Sequence, residues 1–566
     1  MKQKAVIYQM LPRLFGNRCP DPVAGGDIRR NGCGKLNDIS PRVLDSLRSL
    51  GVTHVWYTGV IEHAHATDYS EFGIRPDNPL LVKGKAGSPY AISDYYDIDP
   101  DLAVDVPSRM DEFVSLVERT HKAGLKVIID FVPNHVARQY HSDAKPAGIE
   151  DFGVNDDKDK FFAPNNNYYY QTRQQFAPHV DIGDYVEFPA KATGNDCYTA
   201  FPGPNDWYET CKLNYGRDPG DGDHFDPVPD TWLKMLHILR FWAAKGIDGF
   251  RCDMAHMVPL EFWLWALPQV REKYPHVIFI AEIYDVALYR PFLQPGAFDY
   301  LYDKVNLYDT LRAVQTAGHS AATITNCWQT VDGIGGRMLN FLENHDEQRF
   351  ASDFYCGDAS KVLPSLIVSS MISTGPFMLY YGQELGERGM DAEGFSGRDG
   401  RTTIFDYWSM EKLRRWFDGG TCKGMLTEAE AALRGTYATV LRLLNAEPAF
   451  AEGLFFDLMY ANYANPGIEP HRHFAFIRSH GDDIIIICVN FSDTAANMAV
   501  NIPLHAFDYL EMPQGTDRSA RELLTGAKAA KELSPTAPFT ASVAPYGATI
   551  WKLSRKRLNS NRKNSK

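Results

Sequence analysis

Continuous apolar runs bounded by polar residues recur along most of the chain. Runs of this kind, without strict alternation, are typical of parallel strands buried on both faces. Between them apolar residues return at helical spacing, in residues 108–123, 231–244, 261–272 and 361–372. The pattern predicts eight strands, at residues 5–11, 52–60, 125–132, 247–253, 277–283, 298–302, 338–342 and 376–381.

Strands that alternate with helices imply right-handed crossovers and a parallel sheet. About eight such units close into a barrel, so we expect an α/β fold, a (β/α)8 barrel of the TIM type. The barrel is expected in two parts, residues 1–135 and 231–450. The predicted fold is therefore one catalytic-type barrel that is interrupted once.

Two further regions depart from the barrel pattern. Residues 136–230, after the third predicted strand, are rich in Asn, Asp, Tyr, Gly and Pro, and we expect an inserted B subdomain there. After a helical segment at residues 428–445 the pattern changes to short β-like runs at residues 474–477, 484–490, 498–502 and 549–553. They predict a C-terminal antiparallel β-domain, a β-sandwich over residues 451–554, followed by a basic tail at residues 555–566.

Composition is that of a water-soluble globular protein, with 44% hydrophobic and 23% charged residues. No run of about 18 apolar residues occurs, so no membrane span is expected. A net charge of −13 argues against nucleic acid as a partner, because binding phosphates requires Lys and Arg. The basic tail is expected to be solvated. The aromatic share of 13% serves either a large core or stacking on sugar rings.

Cysteine usage and the N-terminus predict the compartment. The basic first residues lack a long apolar segment and a small-residue cleavage site, so no secretory signal is expected. Nine cysteines form an odd set without C-x-x-C spacing. They indicate reduced structural thiols rather than a disulfide framework or a metal site, and thus a cytoplasmic protein.

Four predicted strands end in clusters of polar side chains. In a parallel barrel this edge is open to ligand, and catalytic groups collect there. Carboxylates at several strand ends suit glycoside hydrolysis, which needs a carboxylic acid at the leaving oxygen and a carboxylate on the other face of the sugar. The residues alone leave those roles unassigned. The four segments read VIIDFVPNH (127–135), GFRCD (249–253), IFIAE (278–282) and LNFLENHD (339–346).

These segments resemble the four signature regions of the α-amylase family, glycoside hydrolase family 13, in their order and spacing. The resemblance includes Tyr8 and Gln9 on the first predicted strand, SPYAISDYY at residues 88–96 and YYGQE at residues 380–384. It spans most of the first 450 residues. One segment alone would be a weak signal, but together they identify the chain as resembling this family.

The resemblance implies roles for three carboxylates. Asp253 is implied as the nucleophile that forms a covalent glycosyl ester. Glu282 is implied as the acid that protonates the glycosidic oxygen and then the base that activates water. Asp346 is implied to bond sugar hydroxyls and to stabilise the distorted ring. Retention of configuration follows, and Asp253 and Glu282 are expected about 5 Å apart.

Other residues are implied to bind substrate. His135 and His345 resemble the histidines that bond hydroxyls of the sugar at the cleavage site, and Tyr90 resembles the aromatic platform beneath that sugar. Arg251, two residues before Asp253, lies on the same face of the strand and would keep that carboxylate ionised.

Three further positions have a structural role or leave their role open. Asp130 is expected to be a structural partner of Arg251. His256 is either a sugar-contacting residue beyond the cleavage point or an ordinary polar group at a helix start. Many family members have a Lys-His pair where this chain has His256 and Met257, and this difference leaves substrate preference open.

The resemblance also implies one metal. In many members the Asn of the first region binds a structural Ca²⁺ together with ligands from the insertion, and Asn134 matches that position. Calcium takes about 6–8 oxygen ligands, and Asn134 alone does not establish that set. No cofactor is expected for the chemistry itself.

The expected function is a retaining hydrolase of α-1,4 bonds in starch-like glucans or maltooligosaccharides. A glucanotransferase or maltosyltransferase of the same family is the nearest alternative, since it shares every step up to the covalent intermediate. A non-catalytic carbohydrate-binding barrel is a remote alternative, because such relatives lose the carboxylates that this chain keeps.

Overall fold

Eight parallel strands close into a barrel in the computed structural model, which describes residues 3–316, 318–389 and 394–560. Each strand pairs with the next in sequence, and the last returns to the first through Val6 beside Phe377. Every predicted run contains one observed strand, so the predicted barrel is confirmed. The strands are β1 Val6–Met10, β2 His54–Tyr57, β3 Lys126–Phe131, β4 Gly249–Cys252, β5 Ile278–Ala281, β6 Tyr300–Tyr302, β7 Met338–Phe341 and β8 Phe377–Tyr380.

Amphipathic helices connect the strands. The helix Pro41–Leu50 shows how the sequence sets its limits: the Ser40 hydroxyl accepts a hydrogen bond from the Val43 amide at its start. Gly51 ends it in the left-handed conformation with φ 111°, and a Cβ there would lie 2.9 Å from the Leu441 backbone. The four predicted helices correspond to Arg109–Lys122, Asp230–Ala243, Leu260–Lys273 and Leu363–Met371. Further helices are Asp309–Thr316, Ile324–Thr330, Glu411–Phe417 and Glu428–Ala446.

The insertion between β3 and Asp230–Ala243 is built from short antiparallel pairs. His135–Ala137 pairs with Thr210–Lys212, directly beyond the end of β3. Arg138 is fully buried there and forms an ion pair with Glu187 at 2.6 Å. A small apolar cluster lies within the insertion, and Leu81 from the barrel part of the chain joins it. Its residues are Leu81, Phe176, Ala190, Ala200 and Tyr208. Its remaining pairs are Tyr170–Gln171 with Ala190–Lys191 and Arg217–Asp218 with Gly222–Asp223.

The C-terminal region is antiparallel, as predicted. A six-stranded sheet runs in the order Leu454–Asp457, His473–His480, Asp483–Asn490, Gly547–Ser554, Gly515–Glu522 and Lys528–Leu533. A two-stranded sheet pairs Ala496–Val500 with Phe539–Val543.

The start of the predicted basic tail is only partly solvated: Lys556 and Arg557 are exposed, whereas Arg555 is half-buried and Leu558 is buried. A short helix, Arg555–Ser560, follows the last strand. Arg557 lies 2.8 Å from the buried carboxylate of Asp517, and Leu558 is fully buried. The last residues of the tail, 561–566, lie outside the described residues.

All nine cysteines fall within the described ranges, and each is a free thiol. Within the same ranges no helix has both the length and the apolar character needed to cross a membrane.

Candidate active site

Strand register places two carboxylates side by side at the carboxyl end of the barrel. Cys252 at the end of β4 pairs with Ala281 at the end of β5, so the next residues, Asp253 and Glu282, are neighbours. Both are buried, at 5% and 2% exposure. Asp346, five residues beyond the end of β7, has a side chain that is 41% exposed. The three predicted carboxylates thus collect at one end of the barrel.

A buried guanidinium joins these carboxylates. Arg251 Nη1 donates to Asp253 Oδ1 at 2.7 Å, and Nη2 lies 2.7 Å from Glu282 Oε1. Asp130 Oδ1 is 3.6 Å from Nη1 and its Oδ2 accepts from the Trp56 indole at 3.0 Å. Asp130 therefore lies beside Arg251, as expected of a structural partner, and one positive charge faces three acids. Three aromatic rings lie within 5.5 Å of the guanidinium carbon: Trp56, Tyr90 and Tyr302.

Replacing this cation is expected to destabilise the fold. Arg251→Met leaves buried carboxylates without their charge partner, which costs about 3–5 kcal/mol in such settings. Calorimetry should show a large fall in Tm. The surface variant Arg388→Met, whose partner Asp353 is half exposed, should change stability by under about 1 kcal/mol. Equal Tm values for the two variants would contradict this account of Arg251.

Burial and mutual repulsion shift the pKa values of the three acids. Burial raises the pKa of Asp253, and the adjacent Arg251 charge opposes that rise. Burial, with the nearby Asp253 charge, also raises the pKa of Glu282. Partial loss of hydration in the site, then the Glu282 charge, also raises the pKa of Asp346. The site therefore favours one protonated acid beside an ionised carboxylate held by Arg251.

Glu282 is fixed in position by two donors besides Arg251. The Met254 amide donates to Oε2 at 2.8 Å, and the Tyr284 hydroxyl donates to Oε1 at 2.5 Å. Met254 adopts a left-handed backbone with φ 42°, a conformation that is costly for a residue with a side chain. This strained turn directly after Asp253 aims the amide at Glu282.

His345 and Tyr90 form one wall of the site. Their rings stack with centroids 5.0 Å apart, and the Tyr90 hydroxyl lies 2.6 Å from His345 Nε2. The same nitrogen is 3.1 Å from Asp346 Oδ2, and Gln9 contacts the other ring nitrogen at 2.8 Å. Burial and the Arg251 charge lower the pKa of His345 well below its usual range, so the ring is neutral.

His135 stands on the insertion side of the site. Its ring lies 5.2 Å from that of Trp207, centroid to centroid. Burial and the Lys212 charge lower the pKa of His135 to about 3, so this histidine is also neutral and offers hydrogen bonds without charge.

These groups surround an open cavity of about 420 Å³. Six of the predicted residues line it: Tyr90, His135, Asp253, Glu282, His345 and Asp346. Arg251 lies behind them. Sequence reasoning missed other lining residues, among them Lys83, Trp207, Glu209, Tyr284, Lys304, Glu347, Arg401 and Phe405. A sequence signal existed for Tyr284, which stands two residues after Glu282, and for Glu347, which directly follows Asp346.

His256 and Asn134 do not line this cavity. His256 is half-buried with Nδ1 3.4 Å from the Glu282 carbonyl oxygen. The Asn134 amide oxygen accepts a hydrogen bond from the Lys212 ammonium, while its Nδ2 donates to the Gly194 carbonyl at 2.7 Å. A cation already contacts the oxygen that calcium would use, so these residues do not fit a Ca²⁺ site.

Three buried acids elsewhere lie close enough together to share a cation, Glu62, Asp94 and Asp97. Both oxygens of Asp94 already accept hydrogen bonds, from the Ser142 hydroxyl and from backbone amides. Asp97 pairs with Arg109. The Asp94 and Asp97 carboxylates are therefore engaged by protein donors.

Comparisons with known proteins agree with the geometry. The family model described as alpha amylase, catalytic domain, matches residues 9–415. Among curated proteins, the chain is 25% identical over 395 residues to alpha-amylase MalA of Haloarcula japonica, covering 68% of this chain and 45% of that protein. It is 24% identical to neopullulanase 2 of Thermoactinomyces vulgaris, covering 68% and 57%. The chain spans about half the length of these curated relatives.

A solved structure matches along the whole chain. The noncanonic maltogenic alpha-amylase AmyB from Thermotoga neapolitana superposes with a TM-score of 0.61 at 18% identity. The match covers 97% of this chain and 98% of AmyB, and it supports the barrel with its C-terminal β-region as a shared fold.

Proposed function

The chain belongs to the α-amylase family, and on that premise we propose that it is a retaining hydrolase of α-1,4-glucosidic bonds in starch-like glucans or maltooligosaccharides. The observation that carries the proposal is the single guanidinium of Arg251, which contacts both Asp253 and Glu282 at neighbouring strand ends. Retention calls for carboxyl groups about 5–5.5 Å apart, which allows direct attack on the sugar, and we propose that spacing for this pair, whereas inversion needs a wider gap that holds a water molecule.

In the first step, Asp253 attacks the anomeric carbon and the bond to the leaving oxygen breaks. Glu282 gives its proton to that oxygen, so the departing glucan leaves as an alcohol. The proposal gives the ionised form to Asp253 and the proton to Glu282: the Arg251 charge opposes the rise that burial causes in the pKa of Asp253, while burial and the Asp253 charge raise the pKa of Glu282. A covalent glycosyl ester on Asp253 results.

In the second step, Glu282 is a carboxylate and takes a proton from water. The water oxygen attacks the anomeric carbon and the ester bond to Asp253 breaks, which restores both carboxyl groups. In this proposal Asp346 and neutral His345, whose Oδ2 and Nε2 atoms are 3.1 Å apart, bond sugar hydroxyls while the ring carries positive charge.

Product size on maltoheptaose tests this function against transfer. Hydrolysis predicts shorter oligomers only, at every time point of a chromatographic time course. Oligomers longer than the substrate would show that a sugar, rather than water, receives the glycosyl unit, and would favour the glucanotransferase alternative.

The Tyr284 hydroxyl is expected to set the alkaline limit of activity. It donates to Glu282 Oε1 and so favours the ionised form, which lowers the pKa of Glu282. Tyr284→Phe removes that bond and raises this pKa, so Glu282 stays protonated to higher pH. The alkaline limb of the kcat/KM profile should therefore move to higher pH. An alkaline limb at the wild-type pH would contradict the assignment of Glu282 as the acid.

A further inference from the structure

A buried lysine joins the insertion to two loops of the barrel. Lys212 ends the strand Thr210–Lys212, which pairs with His135–Ala137 beyond β3. Its side chain is 7% exposed. Its ammonium donates to the Asn134 amide oxygen, contacts Asp196 Oδ1 at 2.6 Å and donates to the Met257 carbonyl oxygen at 3.1 Å.

The three oxygens come from three separate segments. Asn134 follows β3, Asp196 lies within the insertion, and Met257 stands in the turn after the strand that carries Asp253. An ammonium has three donor hydrogens, and here each faces one oxygen. A bound metal cation that cross-links loops makes contacts of this kind, and here the ammonium of a side chain makes them.

We infer that the Lys212 ammonium is a built-in substitute for a structural calcium ion, and that the insertion is held on the barrel without metal at this site. Calcium would require about 6–8 oxygens at 2.3–2.6 Å, and the ammonium stands among the oxygens that a calcium ion would need. The inference concerns stability and does not depend on the proposed reaction.

Lys212 also lies next to the active-site cavity. Lys212 lies opposite His135 in the strand pair, and His135 lines the active-site cavity. The same ammonium contacts the turn that follows Asp253 and Met254. Lys212 therefore connects the strand pair that contains His135 to the turn after Asp253.

Thermal melts of the full chain test this inference. The wild-type Tm should be equal in millimolar EDTA and in millimolar calcium. Lys212→Met fills the space without charge and should lower Tm by at least about 3 °C in both buffers. Lys212→Ala opens the space beside the three oxygens to a calcium ion whose remaining ligands would be water molecules, so calcium should raise its Tm relative to EDTA. Lys158→Met, an exposed lysine on the same insertion, is the matched control and should melt like wild type.

The variants separate the outcomes. A calcium response confined to Lys212→Ala supports the substitution of lysine for the ion. A wild-type Tm that falls in EDTA, a Lys212→Met variant as stable as wild type, or a Lys212→Ala variant without a calcium response would each overturn it. If Lys212→Ala does not fold, the equality of the wild-type Tm in the two buffers decides. Each readout is a melting temperature, so the result does not depend on whether the enzyme has the proposed activity.

Discussion

Asp253→Asn is expected to lower kcat/KM on maltooligosaccharides by about 10⁴-fold or more, because it removes the group that forms the covalent bond. The amide keeps the volume of the carboxyl group and can still accept a hydrogen bond from Arg251. Tm and circular dichroism should therefore stay close to the wild-type values. Steady-state kinetics on maltoheptaose measures the loss.

Asp303→Asn is the matched control for that variant. Asp303 also follows a barrel strand directly, at the end of β6, and is 3% exposed. Its carboxylate accepts hydrogen bonds from Asn306 and from the Leu307 amide, and it does not line the active-site cavity. We expect its kcat/KM within about tenfold of wild type. Similar activity in both variants would remove Asp253 from the mechanism.

Glu282→Gln is expected to lower kcat/KM on maltooligosaccharides by about 10³-fold, the scale of a lost general acid. The loss should be smaller on a glycosyl fluoride, since fluoride leaves without a proton. Azide, a nucleophile that needs no general base, should then restore turnover and yield a glycosyl azide.

Glu347→Gln controls for the loss of a negative charge in the same cavity. Glu347 lines the cavity but pairs with Lys304 at 3.4 Å rather than with Arg251. Its effect should be below about tenfold and unaltered by azide. A Glu282→Gln variant that is equally slow on both substrates and insensitive to azide would contradict an acid and base role for Glu282.

The barrel was predictable because its strands are buried on both faces. In Lys126–Phe131, for example, three consecutive apolar residues follow Lys126 and every residue after it is buried, so the local sequence is enough to indicate a strand. Four C-terminal strands were not predicted: Leu454–Asp457, Gly515–Glu522, Lys528–Leu533 and Phe539–Val543. Among them, Gly515–Glu522 and Lys528–Leu533 pair with each other. They are polar strands at one side of the sheet, with buried and exposed residues mixed, and their pairing partners decide their conformation.

The site was predictable only where chemistry coincides with a strand end. The segments that carry Asp253 and Glu282 are short, and strand register alone brings them together. Trp207 and Lys83 reach the cavity from irregular segments, whose course depends on packing and not on a periodic pattern. Lys212 meets Asn134 only because two distant strands pair, which no local pattern indicates.

The anomeric form of the first product tests the central claim most directly. Proton NMR during the first minutes of maltoheptaose cleavage, before mutarotation, reports the configuration at the new reducing end. Attack by Asp253 followed by water inverts the anomeric carbon twice, so the account predicts the α-anomer. Release of the β-anomer would mean a single displacement by water and would contradict the covalent role of Asp253.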